Sequence, residues 1–151
     1  MRKSPAFTLI ELLIVIAIIG VLGAFSINTF VGSQKRARDA TRRSDLKQYQ
    51  VAIEAWSLKN NGTYPVYASA VKISGQSFGS TLCGSSSVLT LPSCPADPKD
   101  GATYGYFYRS NAGGTKYWVY AKLEGNGNYI VYCASGVNKE NATEPVDADC
   151  P

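Results

Sequence analysis

The sequence predicts an α+β protein in which one long amino-terminal helix carries a small antiparallel β-meander. Three observations support this prediction. An apolar stretch without charge runs from Leu12 to Gln34, and a stretch free of glycine and proline continues from there to Lys59. From Ala102 onward the chain turns to short segments rich in Tyr, Val, Ile and Trp. The 151 residues allow one such helix and one small globular domain.

The apolar stretch has the length of a membrane helix. At about 1.5 Å rise per residue it can cross a hydrocarbon core of roughly 30 Å. Glu11 lies at its start, and a carboxylate at the centre of a membrane helix costs about 2.5–3.5 kcal/mol, less near an end. Two interpretations follow for Glu11. In the first, lipid headgroups solvate the carboxylate and the helix dipole stabilises its charge. In the second, it pairs with a cation supplied by another chain.

The residues around Glu11 form a specific pattern. Met1–Ala6 is a short basic leader that ends in a small residue, and Phe7-Thr8-Leu9-Ile10-Glu11 and the apolar run follow it directly. This order resembles the type IV filament superfamily, which comprises type IV pilins and the pseudopilins of type II secretion. The resemblance covers the first third of the chain.

The resemblance implies a processing and assembly scheme. A prepilin peptidase would cut between Ala6 and Phe7, Phe7 would be N-methylated, and Glu11 would recruit the terminal amine of a neighbouring subunit. The implied partners are further copies in a helical filament, the peptidase and a pilus or secretion assembly platform. Two positions depart from the family pattern: Ala6 stands where Gly is usual, and Asn28 where many members carry Pro.

Elementary electrostatics supports this spacing of Phe7 and Glu11. Cleavage creates an α-amine whose ordinary pKa of about 7.7–8.0 keeps it mostly cationic at neutral pH. A low dielectric strengthens its attraction to a carboxylate. Within one helix the two residues are one turn apart and could pair with each other. Pairing between chains requires neighbours that are staggered along the helix axis.

The predicted organisation has four parts. Residues 1–6 are a cleaved leader, 7–34 a transmembrane or filament-core helix, 35–60 an amphipathic helix, and 61–151 a disulfide-stapled head. Four apolar residues of the amphipathic part recur at alternating spacings of three and four and predict the face on which the head packs; they are Leu46, Tyr49, Ile53 and Trp56. Gly62 and a following proline predict the end of the helix.

Charge is concentrated after the apolar run. Residues 35–47 hold six basic and two acidic residues, whereas the chain from Gln48 onward holds seven basic and eight acidic ones. The near-neutral head argues against a nucleic-acid-binding surface. We interpret the basic band, residues 35–47, as a contact for lipid headgroups or for acidic faces of neighbours, or equally as a solvated helix face.

The orientation in the membrane rests on conflicting signals. The positive-inside rule would place the basic band, and with it the head, in the cytoplasm. Four cysteines in a small domain instead favour an oxidising compartment, and the leader resembles one that stays inside. We therefore predict a single-pass protein of the cytoplasmic membrane with its head outside, and an extracellular filament after assembly.

The four cysteines allow three pairings, of which we predict Cys83 with Cys94 and Cys133 with Cys150. The chain has no histidine and no Cys-x-x-Cys, so zinc is not expected. Some pseudopilins bind calcium near their sheet. No Asp-x-Asp-x-Asp-Gly loop is present here, and we assign no metal ligand; the available carboxylates are Asp97, Asp100, Asp147 and Asp149.

Residues 66–100 are predicted to form a loop, and three strands are expected at Thr103–Arg109, Lys116–Leu123 and Tyr129–Ala134. Their many aromatic residues could form a sugar-binding platform. More often such residues are strand formers and partly buried.

The sequence predicts no enzyme, no catalytic residue and no cofactor. It contains no histidine, no Gly-x-Ser-x-Gly nucleophile motif, no phosphate loop and no Gly-x-Gly-x-x-Gly dinucleotide-binding motif after a strand. The resemblance implies a structural subunit of a type IV pilus-like extracellular filament that serves adhesion, motility or DNA uptake. One alternative is a pseudopilin of type II secretion, and another is a membrane-anchored module that binds a glycan or other surface ligand. A last alternative is a secreted domain whose signal peptide ends before Ala24.

Overall fold

The computed structural model describes residues 7–73, 94–146 and 150, except for the side chains of residues 25–28. The chain divides into two compact units, Met1–Lys35 and Arg36–Pro151. One helix, α1, spans Leu9–Lys59 and contributes to both units. Five strands belong to the second unit.

The first unit is helical from Leu9 onward, and the large apolar side chains that the structure describes there are exposed. Leu9 is 82% exposed and Ile19 62%, because no other described element of this unit covers them. No single described helix is apolar over enough of its length to cross a membrane. Leu9–Ala24 and Thr29–Lys59, taken together as a bent pair, satisfy that test by length and composition.

In the second unit, α1 ends in a hydrogen-bonded turn. Asn60 N–H and Gly62 N–H both donate to the carbonyl of Ser57, at 3.0 and 2.9 Å. Asn61 has a φ of 53° and Gly62 a φ of 76°. This is the bonding of a Schellman end, with Asn61 in the left-handed position. The prediction placed the stop correctly but gave the capping role to Gly62.

The strands form one antiparallel sheet in the order β1-β2-β3-β4-β5. Their bounds are Val71–Lys72, Tyr106–Ser110, Tyr117–Lys122, Tyr129–Cys133 and Asn138–Asn141. The predicted α+β class and meander are confirmed, and β2, β3 and β4 fall within the three expected segments, apart from Ser110. The short β1 and the polar β5 were not predicted.

One face of the sheet packs on α1. Tyr108 pairs with Val119, and Val119 with Tyr132, so these three side chains share that face. They enclose the helix stripe in one core cluster, in which Leu46 and Tyr49 are completely buried. The predicted packing face is therefore confirmed; its fourth member, Trp56, lies half-buried at the edge of this core.

The other face of the sheet is also covered. Trp118, Val131 and Cys133 pack there together with Cys150. A disulfide joins Cys133 to Cys150, with their Cα atoms 5.5 Å apart, so the predicted pairing of these two cysteines is confirmed. Cys94 is also disulfide-bonded. Cys83 lies outside the described residues, and its pairing stays a prediction.

Candidate functional site

The amino-terminal motif begins α1 with a reciprocal pair of hydrogen bonds. Thr8 is the residue before the first helical residue, Leu9. Its backbone N–H and its hydroxyl donate to Glu11 Oε2, at 2.8 and 2.6 Å. Glu11 N–H in turn donates to Thr8 Oγ1 at 3.3 Å. This arrangement is a capping box, which satisfies backbone donors that a helix start otherwise leaves unpaired.

The carboxylate of Glu11 therefore has partners within its own chain. Its negative charge also lies in the first turn, where it complements the helix dipole. Neither sequence interpretation of Glu11 included this bond, although the Thr-x-x-Glu spacing is a recognised signal for it. Phe7 lies just before the box and is 79% exposed. Ala6 lies outside the described residues.

The helix that follows offers an apolar surface to other molecules. Fourteen large apolar residues between Phe7 and Val31 are exposed. Exposed apolar surface of this extent marks a membrane or protein interaction site. Such a surface can contact acyl chains or pack against other apolar helices.

In the second unit, the central polar feature is an ion-pair cluster around Arg42. The guanidinium is completely buried, and its Nε and Nη2 atoms donate to the two oxygens of Asp97 at 2.7 and 2.8 Å. Its Nη1 atom donates to Asp39 at 2.7 Å, and Nη2 also lies 2.9 Å from Glu124. Three carboxylates thus surround one cation, which ties α1 to the loop before β2 and to the β3–β4 loop.

Neighbouring residues complete this Arg42 cluster. Arg38 binds both oxygens of Glu124 at 2.7 and 2.8 Å. The hydrogen bonds from Arg38, together with those from Arg42, lower the pKa of Glu124 to about 2. Asp39 also accepts the backbone N–H groups of Glu124 and Gly125, each at 2.9 Å. The β3–β4 loop is therefore held by both side-chain and backbone contacts.

These contacts change the interpretation of the basic band for three of its six basic residues. Arg38 and Arg42 bind acidic residues of their own chain, and Arg43 pairs with Glu140 on β5. None of these three is a free cation for headgroups or for a neighbouring subunit. The local excess of positive charge does not reveal these pairs, because most of the matching carboxylates lie far along the chain, at Asp97, Glu124 and Glu140.

Tyrosines from the sheet and from the segment after α1 donate hydrogen bonds to two acidic residues of α1, the buried Asp45 and the partly buried Glu54. Tyr106 donates to Asp45 at 2.6 Å, and burial together with this bond raises the pKa of Tyr106. Tyr64 and Tyr117 each donate to one oxygen of Glu54 at 2.9 Å. Removing a carboxylate from water costs folding free energy, and these hydrogen bonds offset that cost.

This burial argues against an aromatic platform for glycans. Most of the strand aromatics face a core, with Tyr106, Tyr108, Tyr117, Trp118 and Tyr120 each at most 2% exposed. A sugar needs ring faces open to solvent. The described residues therefore give no support to the glycan-binding alternative.

The structure also locates part of the acidic set considered for calcium. Asp97 forms an ion pair with Arg42, and Asp100 forms one with Lys72. Among the described residues, no group of three His, Cys, Asp or Glu side chains could hold a metal ion. Asp147 and Asp149 lie outside those residues.

A capped apolar helix and a small meander bound to its continuation form an α+β arrangement that is pilin-like. The comparisons agree with this class. Residues 1–27 match the family model described as the prokaryotic N-terminal methylation motif. The amino-terminal part of the chain is therefore similar to that of proteins that carry this motif.

Two kinds of relative are similar to this chain. The type II secretion system core protein G of Vibrio cholerae is 27% identical over 109 residues, which are 72% of this chain and 64% of that protein. The type IV wide pilus major component PilA4 of Thermus thermophilus is 43% identical over 61 residues, 40% of this chain and 47% of that protein. The type IV major pilin protein PilA of Myxococcus xanthus is 42% identical over 50 residues, 33% of this chain and 23% of that protein.

The chain thus spans less than two thirds of the length of each of these relatives. No solved structure matches it.

Proposed function

We propose that the chain is a structural subunit of a type IV pilus-like extracellular filament. The observation that carries this proposal is the exposed apolar face of α1, which starts at the capping box of the methylation motif. A membrane can cover this face before assembly, and helices of further copies can cover it afterwards. The head supplies the filament surface, and its tight internal ion pairing suits a structural role.

Processing between Ala6 and Phe7 would leave the capping box intact, because both Thr8 and Glu11 stay in the mature chain. The new amine of Phe7 would then be a cation one turn from a carboxylate that already holds two donors. The amine of a neighbouring subunit would form an ion pair with that carboxylate, either in addition to its two present hydrogen-bond donors or in place of one of them. Glu11 would serve both to begin the helix and to set the stagger of adjacent subunits.

Substitutions at this site separate the two roles. Glu11→Gln keeps a side chain suited to a capping box and removes the charge, whereas Thr8→Ala removes the box and keeps the charge. If charge pairing drives assembly, Glu11→Gln lowers the yield of sheared filaments by at least about tenfold. Thr8→Ala then has a smaller effect. Subunit levels in membranes provide the control for expression and insertion.

The opposite result would refute the counter-ion role. Normal filaments from Glu11→Gln together with loss of filaments from Thr8→Ala would mean that Glu11 acts only as a helix cap. The head gives a check on folding, since its near-UV circular dichroism in detergent should be the same in both variants.

Cleavage is tested at the leader. Ala6→Asp should leave the chain uncut, because a charged residue replaces the small one that precedes the cut. The intact mass of protein from membranes measures this directly. A mature mass from Ala6→Asp would contradict the proposed cleavage position, and a conservative Ala6→Gly variant should be cut at least as well as the natural chain.

A pseudopilin of type II secretion is the second candidate. The match to the Vibrio cholerae core protein G extends over 72% of this chain, whereas the match to the Thermus thermophilus wide-pilus component covers 40%. The match to this secretion protein thus extends over more of the chain than the match to this pilus component. Abundant mature subunit in the fraction sheared from cells supports a surface pilus. Mature subunit retained in the envelope, with loss of protein secretion on deletion, supports the pseudopilin.

The partners follow from either candidate. They are further copies of the chain, a prepilin peptidase and an assembly platform in the membrane. We place the protein in the cytoplasmic membrane with its head outside before assembly, and in an extracellular filament afterwards.

A further inference from the structure

Two Asn-Gly pairs lie in the head, and their surroundings differ. Asn61-Gly62 ends α1, whereas Asn126-Gly127 lies in the β3–β4 loop. Glycine after asparagine leaves the space beside the backbone nitrogen open, because it has no Cβ. The nitrogen of such a glycine can attack the amide carbon of the preceding side chain. The two pairs are therefore chemically equivalent in sequence and differ only in how the fold treats them.

The first pair is protected. Gly62 N–H donates to the carbonyl of Ser57 at 2.9 Å, in the turn that closes the helix. Attack requires this nitrogen to lose its proton and to turn toward the side chain of Asn61. Both changes break the hydrogen bond and unwind the helix end, so the fold opposes the reaction.

The second pair is open to reaction. Asn126 and Gly127 are exposed, and Gly127 N–H has no acceptor within residues 7–73, 94–146 and 150. Asn128 N–H donates to Asn126 Oδ1 at 3.0 Å. That bond polarises the amide carbonyl and stabilises the negative charge that develops on its oxygen during attack. A second bond, from Asn126 Nδ2 to Glu140 at 3.2 Å, connects the side chain to β5.

We propose that Asn126 is a site of spontaneous deamidation in the folded protein, and that Asn61 is shielded from the same reaction. Hydroxide removes the proton of Gly127 N, and the nitrogen forms a bond to Cγ of Asn126. The Cγ–Nδ2 bond breaks, and ammonia leaves with a proton from water. Water then opens the resulting succinimide. Opening at Cγ gives aspartate, and opening at the main-chain carbonyl gives isoaspartate.

The product changes the contacts of the loop. A carboxylate replaces the Nδ2 donor and faces Glu140, which pairs with Arg43 on α1. Isoaspartate also adds one methylene to the main chain beside Gly125, whose N–H is bound by Asp39. We expect this repulsion and lengthening to loosen the β3–β4 loop from the helix. The modification would thus mark aged subunits with an added negative charge.

The test uses the full-length chain in detergent micelles, held in mildly alkaline buffer either native or in concentrated guanidinium chloride. Trypsin separates the two sites, because several lysines and arginines lie between them. Mass spectrometry follows amide loss, and labelling by an isoaspartyl methyltransferase identifies isoaspartate. In the native protein Asn126 should convert about five to ten times faster than Asn61, the factor expected for one protecting hydrogen bond. In denaturant the two rates should become similar.

Asn126→Gln is the matched variant, and it should abolish the signal in its own peptide and leave that of Asn61 unchanged. Equal native rates at both sites, or faster conversion at Asn61, would overturn the proposal. The same ratio in native and denatured protein would also overturn it, because the difference would then come from local sequence and not from the fold. The absence of deamidation at both Asn61 and Asn126 in the native protein would overturn the proposal as well.

Discussion

Replacing Arg42 with methionine should destabilise the head more than any other single change of a charged residue on α1. Methionine keeps much of the length of the side chain and its fit to the core but removes the charge and the donors. Asp97 would lose both of its 2.7–2.8 Å bonds from the guanidinium while its side chain stays completely inaccessible to solvent. Among the described residues, the backbone N–H of Lys99 would be the one donor left to it.

The expected loss follows from the state of Asp97. Breaking a buried ion pair by removing one partner costs about 3–5 kcal/mol, because an uncompensated charge remains in a low-dielectric site. Glu124 and Asp39 lose less, since Arg38 and backbone N–H groups still bind them. For a domain of this size such a loss lowers the melting temperature by roughly 10–20 °C.

Thermal unfolding of the full-length chain in detergent measures this loss. Near-UV circular dichroism reports on the buried tyrosines and on Trp118, all of which belong to the second unit. Arg36→Met is the matched control, because Arg36 is exposed and forms no ion pair within the described residues. Its effect should stay within about 0.5 kcal/mol. The double variant Arg42→Met/Asp97→Asn should recover part of the stability, since it removes the buried charge as well.

Equal melting temperatures for Arg42→Met and Arg36→Met would refute the reasoning. So would a double variant that is less stable than Arg42→Met alone, because it would mean that the unpaired charge on Asp97 is not the source of the loss.

Two further predictions concern the same domain. The pKa of Glu124 is lowered from 4.5 to about 2, so its contribution to the free energy of unfolding is complete above pH 4.5 and is lost as the pH falls toward 2. Glu124→Gln should reduce the change in the free energy of unfolding across that pH window by at most about 3 kcal/mol. A pH dependence of acid denaturation equal to that of the natural chain would contradict this. Gly114 has a φ of 61°, and a Cβ there would lie 2.8 Å from the carbonyl oxygen of Tyr64. Gly114→Ala should therefore cost about 1–3 kcal/mol in denaturant unfolding, whereas Gly113→Ala, with no atom closer than 3.9 Å, should cost less.

The predictable parts of the fold are those with a local signal. The alternating spacing of Leu46, Tyr49 and Ile53 marks a helix face, and these residues are completely buried. A high content of aromatic and β-branched residues marks β2, β3 and β4. The capping box was equally local in Thr8-x-x-Glu11 and could have been predicted from the same kind of pattern.

The features that escaped prediction depend on distant partners. Strand β5 is polar and mostly exposed, and it is a strand only because Lys139 and Glu140 pair with β4. Arg42 lies in a run that is basic locally, and its main partner, Asp97, follows 55 positions later. No pattern within the run distinguishes the buried Arg42 from the exposed Arg36.

The order of the sheet has a consequence for the rate of folding. Each described strand pairs only with the strand before or after it. Short connections join β2, β3, β4 and β5, and such hairpins form in about 1–10 μs. The bonds between α1 and the loops join residues much further apart, so they close late. We therefore expect weakening of the Arg42 cluster to act mainly on the unfolding rate. The lifetime of a folded head would then be governed by a few contacts that contribute little to how fast it forms.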